Sequence, residues 1–338
     1  LVRKPDAPSD EEKRETPLSF ARMRSLMERS PIPPAGAPAE VAGTDLSEAL
    51  YRLAQQEVAR ILEAASGWKP FEVGTLRRVV LGMVNALAAG DDLLVQALDE
   101  GETYLDLPRH MVNVAIFAIK IGQGTDCRED ELPKLGLAAC LHDLGMVIVP
   151  RRILEKPESL SADEIALLRQ HPERGFRILE ALGPEYDWLA KVALQEHERE
   201  DGSGYPWGLK GDAIHEFARI VGIADVYEAL THTRPYQKRR VPYDVVKEII
   251  NAERRRFSDR VLKGLIRGLS TFPVGSLVRL NSLEVARIVA TNPAFPLRPV
   301  VEVIQGPRGD RLPQPRRVDL ATNTLLYITD TPSGKVPA

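Results

Sequence analysis

A chain of 338 residues with 43% hydrophobic and 28% charged side chains has an ordinary globular composition, is long enough for two folded units and can bury a sizeable core. Its 45 basic and 48 acidic residues leave a net charge of -3. That excludes broad electrostatic capture of polymeric nucleic acid or of an anionic membrane, and leaves a local basic pocket as the way to hold a small anion. Cys127 and Cys140 are the only thiols, so a disulfide framework is excluded. No apolar run reaches about 18 residues, so a cytoplasmic protein without a membrane span is expected.

Residues 1–44 carry Pro5, Pro8, Pro17, Pro31, Pro33, Pro34 and Pro38 among charge clusters, which predicts a disordered tail with one short helix near 18–29. Asp45 and Glu48 mark a helix start, and Leu46, Leu50, Leu53, Val58, Ile61 and Leu62 then recur at helical spacing. A second stripe runs from Leu76 to Leu87, and Leu93 to Leu98 forms a short third element. These helices, over 45–106, should pack on a helical core spanning 107–270.

Within that core the apolar period predicts helices through Val112–Ile119, Leu132–Leu141, Leu189–His197, Ala218–Leu230 and Val245–Arg256. Ser161-Ala162-Asp163-Glu164 reads as a capping box, and Pro172 directly after His171 should restart a helix there. No strand is expected between residues 46 and 270. After Pro273 the pattern changes to short β-branched segments at 276–281, 284–291, 299–305 and 324–329, which predicts a module of four or five strands over 273–331. The expected class is mainly α, a helical bundle with a small C-terminal β module.

The chemistry-bearing residues fall in a fixed order. His142-Asp143 sits in Leu141-His142-Asp143-Leu144-Gly145. His171 follows, then the run Gln195-Glu196-His197-Glu198-Arg199-Glu200-Asp201-Gly202-Ser203-Gly204-Tyr205-Pro206, then Asp225 in Ile223-Ala224-Asp225-Val226-Tyr227. This order resembles the HD-GYP family of bacterial cyclic di-GMP phosphodiesterases, within the HD phosphohydrolase superfamily. The resemblance covers most of 46–331.

Phosphodiester hydrolysis near neutral pH calls for a strong nucleophile and neutralised phosphoryl oxygens, and two metals about 3.5–4 Å apart supply both. Imidazole with carboxylate and no thiolate suits iron, manganese, zinc or nickel. The resemblance implies two divalent ions, iron or manganese, with Asp143 bridging them. It places His142 and Asp143 at the catalytic centre, His171 and His197 on one metal and Asp225 on the other; Glu196 is a candidate further ligand, the alternative being that it points away and the site holds fewer metals. It also implies hydrolysis of cyclic di-GMP to linear pGpG, and on to GMP. The assemblies it allows are protein partners in cyclic di-GMP signalling and a homodimer.

Helix geometry adds candidates for a third metal. Asp106 precedes His110 by four residues and Glu228 follows Asp225 by three, so each pair can share one helix face. The alternative is that Asp106 caps a helix and Glu228 is a solvated charge. For the substrate, Gly202 and Gly204 let backbone approach a ligand closely, Pro206 stiffens the exit, and Tyr205 offers a ring and a hydroxyl. Arg234 resembles a phosphate-contacting position, and a guanidinium grips phosphate bidentately. His215 and His232 are expected at the surface, and the Arg239-Arg240 and Arg254-Arg255-Arg256 runs on a solvated face.

Three departures weigh against the resemblance. Met146 and Gln237 stand where the family has Lys, with Lys238 a partial substitute for the second. Glu196 stands where the family has the first of two adjacent histidines, adding negative charge to the cluster and favouring harder cations. The rival expectations are a catalytically degenerate module that signals through nucleotide binding or protein contacts, and a hydrolase of another phosphate ester.

Overall fold

A computed structural model describes residues 44–90, 92–98, 106–125, 127–156, 158–232, 240, 242–252, 254–269, 277–290, 292, 295 and 298–330. Contacts divide the chain after Ala42, and the described residues all belong to the second unit. The expected tail and its short helix lie outside the described residues.

Twelve α-helices precede five strands among the described residues. In chain order they are α1 (Thr44–Ser66), α2 (Gly74–Ala89), α3 (Asp92–Leu98), α4 (Leu107–Gly124), α5 (Leu132–Leu141), α6 (Arg151–Leu154), α7 (Ala162–Leu168), α8 (His171–Glu180), α9 (Asp187–Gln195), α10 (Glu216–Thr231), α11 (Pro242–Ala252) and α12 (Asp259–Leu269). No strand interrupts the described residues of 44–269. No single helix among them is long and apolar enough to cross a membrane.

Helix α4 is the axis. Met111 through Ile119, with Ile121 and Gly122, are all buried, so it is apolar on every side, as a helix surrounded by others must be. It packs against α1, α3, α5, α10 and α12. Phe117 meets Tyr227 of α10 edge-on, their ring centres 5.0 Å apart. Asn113 is the polar exception on this buried helix, at 1% exposure.

Local signals set the helix ends near the site. The Asp106 carboxylate accepts from the Arg109 amide at 3.2 Å, and Pro108 occupies the first turn, where its missing N–H costs nothing. Ser161 and Glu164 form the reciprocal capping box that opens α7. Helix α7 stops at Leu168, and α8 begins at His171 with Pro172 in its first turn.

The strands are β1 (Leu277–Leu280), β2 (Val285–Ala290), β3 (Val300–Gln305), β4 (Arg311–Asp319) and β5 (Ile328–Asp330), in the antiparallel order β4-β3-β2-β1-β5. Register places Val278 opposite Ala286, Ala286 opposite Val303 and Ile288 opposite Val301. Alternate residues therefore bury one face, with Leu280, Leu320 and Ile328 completing its core.

Two details differ from expectation. The segment 324–329 is strand only from Ile328, and Leu325 is 83% exposed. Strand β4 was not foreseen, because Pro313 and Pro315 argue against a ladder; among the described residues it pairs only with β3, and an edge strand tolerates proline.

Candidate metal centre

Five elements bring the candidate ligands together. His110 comes from α4, His142 and Asp143 from the end of α5, His171 from the start of α8, Glu196 and His197 from the end of α9, and Asp225 from α10. Two close backbone approaches set the spacing. A Cβ on Gly145 would overlap the His171 carbonyl oxygen and stand 2.6 Å from the Gly175 amide nitrogen, and one on Gly222 would overlap the Glu196 carbonyl oxygen. Glycine at 145 thus lets α8 carry His171 up to Asp143, and glycine at 222 lets α10 lie against Glu196.

The side chains form two groups sharing Asp143: Asp143, His171, Glu196 and His197 in one, and His110, His142 and Asp143 in the other. Asp143 Oδ1 lies 3.2 Å from His171 Nε2, while Oδ2 lies 3.5 Å from His110 Nε2 and 3.6 Å from His142 Nε2. Its two oxygens therefore face different groups. Asp225 Oδ1 reaches the second group, 3.4 Å from His110 Nε2. Asp106 belongs to neither group and instead caps α4. Glu228, expected either as a ligand or as a solvated charge, is 4% exposed and accepts from His110 Nδ1 at 2.8 Å.

The imidazoles are oriented for ligation. His142 Nδ1 donates to the Ala139 carbonyl at 2.7 Å and His171 Nδ1 to the Leu168 carbonyl at 2.8 Å. A carbonyl only accepts, so each ring carries its hydrogen on Nδ1 and turns a lone pair out at Nε2 when neutral. His142 Nε2 and Glu196 Oε2 are buried without a hydrogen-bond partner, an arrangement that costs stability unless something positive sits there. His197 Nε2 lies 3.0 Å from His171 Nε2 and 2.8 Å from Glu196 Oε1. Only a proton or a cation reconciles three such acceptors. The donor set of nitrogen and oxygen therefore fits divalent metals.

Burial works to raise the Asp143 carboxyl, but the surrounding His142, His171 and His110 outweigh it and hold it well below the carboxylate range. Burial is likewise outweighed at Asp225, by His110 above all, and at Glu196, by His197 and His171; both are lowered. At His171 burial opposes the charge, and Asp143 and Glu196 overcome it and lift the pKa to about 9.

These directions define a pH dependence for the metal-free protein. The raised His171 contributes stability fully present below its unfolded value of about 6.5 and lost as pH rises toward 9, while the lowered carboxyls contribute stability that is lost on acidification below about pH 4. A metal competes with the proton on His171 Nε2. Apparent manganese affinity should therefore rise at least about tenfold per pH unit between about 6.5 and 9. Calorimetric titrations at three pH values check this, and a flat affinity contradicts it.

The loop after His197 is fixed by a residue whose role sequence reasoning missed. Glu198 is 3% exposed, and its two oxygens accept the amides of Trp207 at 2.7 Å and Leu209 at 2.9 Å. Gly202 takes a φ of +80°, open to glycine at little cost. A Cβ on Gly204 would stand 2.5 Å from the Arg199 amide nitrogen, the Glu198 Cα and the His197 carbonyl oxygen.

This folding stacks Tyr205 on His197, with ring centres 4.6 Å apart and planes 20° from parallel. Arg169 stands over the same tyrosine at 5.1 Å. Tyr205 and Pro206, with Ala162, Ile165, Ala166 and Arg169, line a groove of about 540 Å³. Arg234 and Lys238, together with Gln237, lie outside the described residues.

The two remaining histidines are not surface residues. His215 is half-buried and caps α10, its Nδ1 accepting from the Phe217 amide at 3.1 Å. The His232 side chain is 13% exposed and lies 3.4 Å from Glu228.

Comparison with known proteins finds two family matches. The family model described as "HD domain" matches residues 95–261, and one described as "KOW domain associated with HD domain" matches 277–335. The chain is 34% identical over 214 residues to the cyclic di-GMP phosphodiesterase PA4108 of Pseudomonas aeruginosa, covering 62% of this chain and 50% of that protein. It is 41% identical over 142 residues to the cyclic di-GMP phosphodiesterase response regulator RpfG of Xanthomonas campestris, covering 41% of this chain and 37% of that one. The chain thus spans half or less of these relatives.

The solved structure of Bd1817, an HD-GYP-type protein of Bdellovibrio bacteriovorus, shares the fold, with a TM-score of 0.56 at 17% identity over 68% of this chain and 73% of that one. The chain belongs to the HD-GYP family of HD-domain proteins.

Proposed function

We propose that this chain is a metal-dependent phosphodiesterase that opens a cyclic dinucleotide, cyclic di-GMP, to linear pGpG. The observation that carries it is Asp143, whose two oxygens face two separate groups of ligand side chains. A carboxylate so placed suits a bridge between two cations. His171, Glu196 and His197 would hold one, and His110, His142 and Asp225 the other. Iron or manganese fits a nitrogen and oxygen donor set without thiolate. When bound, such a pair supplies a nucleophilic hydroxide at neutral pH and neutralises phosphoryl charge.

The remaining chemistry falls to this chain's side chains. Tyr205, stacked against His197, forms the wall between the ligand cluster and the groove, and the groove has the size and lining to take one base of the dinucleotide. The Arg169 guanidinium on its rim offers a planar donor fork to a guanine edge or a phosphate oxygen. Arg234 and Lys238 complete the proposed phosphate contacts. With Met146 and Gln237 at positions where the family has lysine, fewer cations face the phosphates, and a higher KM is the expected consequence.

The test is incubation of manganese- or iron-loaded protein with cyclic di-GMP, with separation of linear dinucleotide and mononucleotide over time. Appearance of pGpG supports the assignment. Metal-loaded protein that binds the dinucleotide without cleaving it favours the degenerate signalling module. Cleavage of other phosphate esters but not cyclic dinucleotides favours the third expectation.

A further inference from the structure

Behind His110 lies a buried polar network that the two ligand groups do not use. Tyr51 on α1 and Asn113 on α4 are 5% and 1% exposed, and the Tyr51 hydroxyl donates to Asn113 Oδ1 at 2.6 Å. That bond fixes the amide. With Oδ1 turned to Tyr51, Asn113 Nδ2 faces Glu228 Oε1 and His232 Nε2, each at the long distance of 3.5 Å. His232 Nδ1 donates to the Glu228 main-chain carbonyl at 3.1 Å, which leaves Nε2 as the acceptor the amide needs. Glu228 Oε2 accepts from His110 Nδ1 at 2.8 Å. Each donor in the chain meets an acceptor, so the directions of all these bonds agree.

We propose that Glu228 is a positioning residue and not a cation ligand: held by Asn113 and Tyr51, it takes the Nδ1 hydrogen of His110 and keeps Nε2 directed between Asp143 and Asp225, where a cation would meet its lone pair. His110 Nε2 then stands 3.5 and 3.4 Å from those carboxylates. A carboxylate behind an imidazole fixes the tautomer and ring orientation and makes the ring a better donor to a metal. Through Tyr51, helix α1 becomes a structural part of the centre although it supplies no candidate ligand. The inference rests on the cation-binding part of the proposed function and is independent of hydrolysis.

The experiment compares the full chain with Glu228→Gln, Glu228→Ala and Tyr51→Phe by manganese titration, and by proton NMR of the His110 Nδ1–H in metal-free protein. Glutamine keeps an oxygen that can accept from His110, since the Tyr51 hydroxyl can rotate to serve a flipped Asn113 amide. The expected result is manganese affinity within about threefold of wild type for Glu228→Gln, and a loss of about 10–100-fold for Glu228→Ala. Tyr51→Phe should fall between them. In metal-free protein a downfield, slowly exchanging His110 Nδ1–H resonance is expected in wild type and Glu228→Gln, and its loss to exchange in Glu228→Ala.

Equal, large affinity losses for Gln and Ala would overturn the proposal in favour of direct ligation. A His110 Nδ1–H resonance unchanged in Glu228→Ala would overturn it as well. If wild type binds no manganese, the metal reading fails, and the Nδ1–H comparison still decides the role of Glu228.

Discussion

On the proposed function, Asp143→Asn should lower hydrolysis of cyclic di-GMP by about 10³-fold or more, the scale on which losing a group that organises transition-state charge acts, and should reduce bound metal from the proposed two ions to one. An amide has one oxygen where the carboxylate has two. In the wild type Oδ1 faces His171 while Oδ2 faces His110 and His142. Asparagine can present oxygen to one group only, and its NH₂ must then face the other. A donor among lone pairs removes a ligand and repels the cation as well. The change is nearly isosteric, so the fold should persist. Metal analysis, turnover and melting temperature on one preparation check the three parts together, and two bound ions with retained turnover would exclude Asp143 as the bridge.

Gly145→Ala should act on both stability and metal binding without touching a ligand. The added methyl would overlap the His171 carbonyl oxygen and press on the Gly175 amide nitrogen. Both are backbone atoms, so no rotamer change relieves the contact. The turn carrying Asp143 and the start of α8 must move apart. Overpacking of this kind costs about 1–3 kcal/mol, and a misplacement of about 1 Å can cost about 10²-fold in rate. Gly90→Ala is the control, because nothing lies within 4 Å of its added Cβ and its backbone is extended. Denaturant unfolding and manganese titration of both variants read the effect; equal behaviour of the two would show that the close approach sets nothing.

Which features were legible in the chain follows from how locally each is encoded. The helices near the site carry their own signals: the period through α4 and α5, the Ser161–Glu164 box and the Pro172 restart each act within a few residues. The ligand candidates were legible as types and order, and the structure brings His110, His142, Asp143, His171, Glu196, His197 and Asp225 to one place.

Contacts between distant segments left no such trace. Tyr51 and Asn113 are 62 residues apart, and Asn113 and Glu228 are 115 apart, so nothing near Tyr51 marks it as polar support for the site. Glu198 is in the same position: its burial depends on the loop folding back so that two amides reach it. His215 and His232 were misread because the Gly211–Ile214 stretch and Thr231 suggest a loop, whereas His215 caps α10 and His232 turns back onto Glu228 of that helix. Strand β4 was hidden by its two prolines, whose missing donors matter little at the edge of a sheet.

The Glu198 anchor has a practical consequence at Trp207. The backbone of that residue is tied down, yet its indole is 59% exposed and adjoins Pro206 on the groove wall. The molecule thus carries a solvent-facing fluorophore on an anchored stretch of main chain, whose emission would report the loss of that anchor without any label being attached.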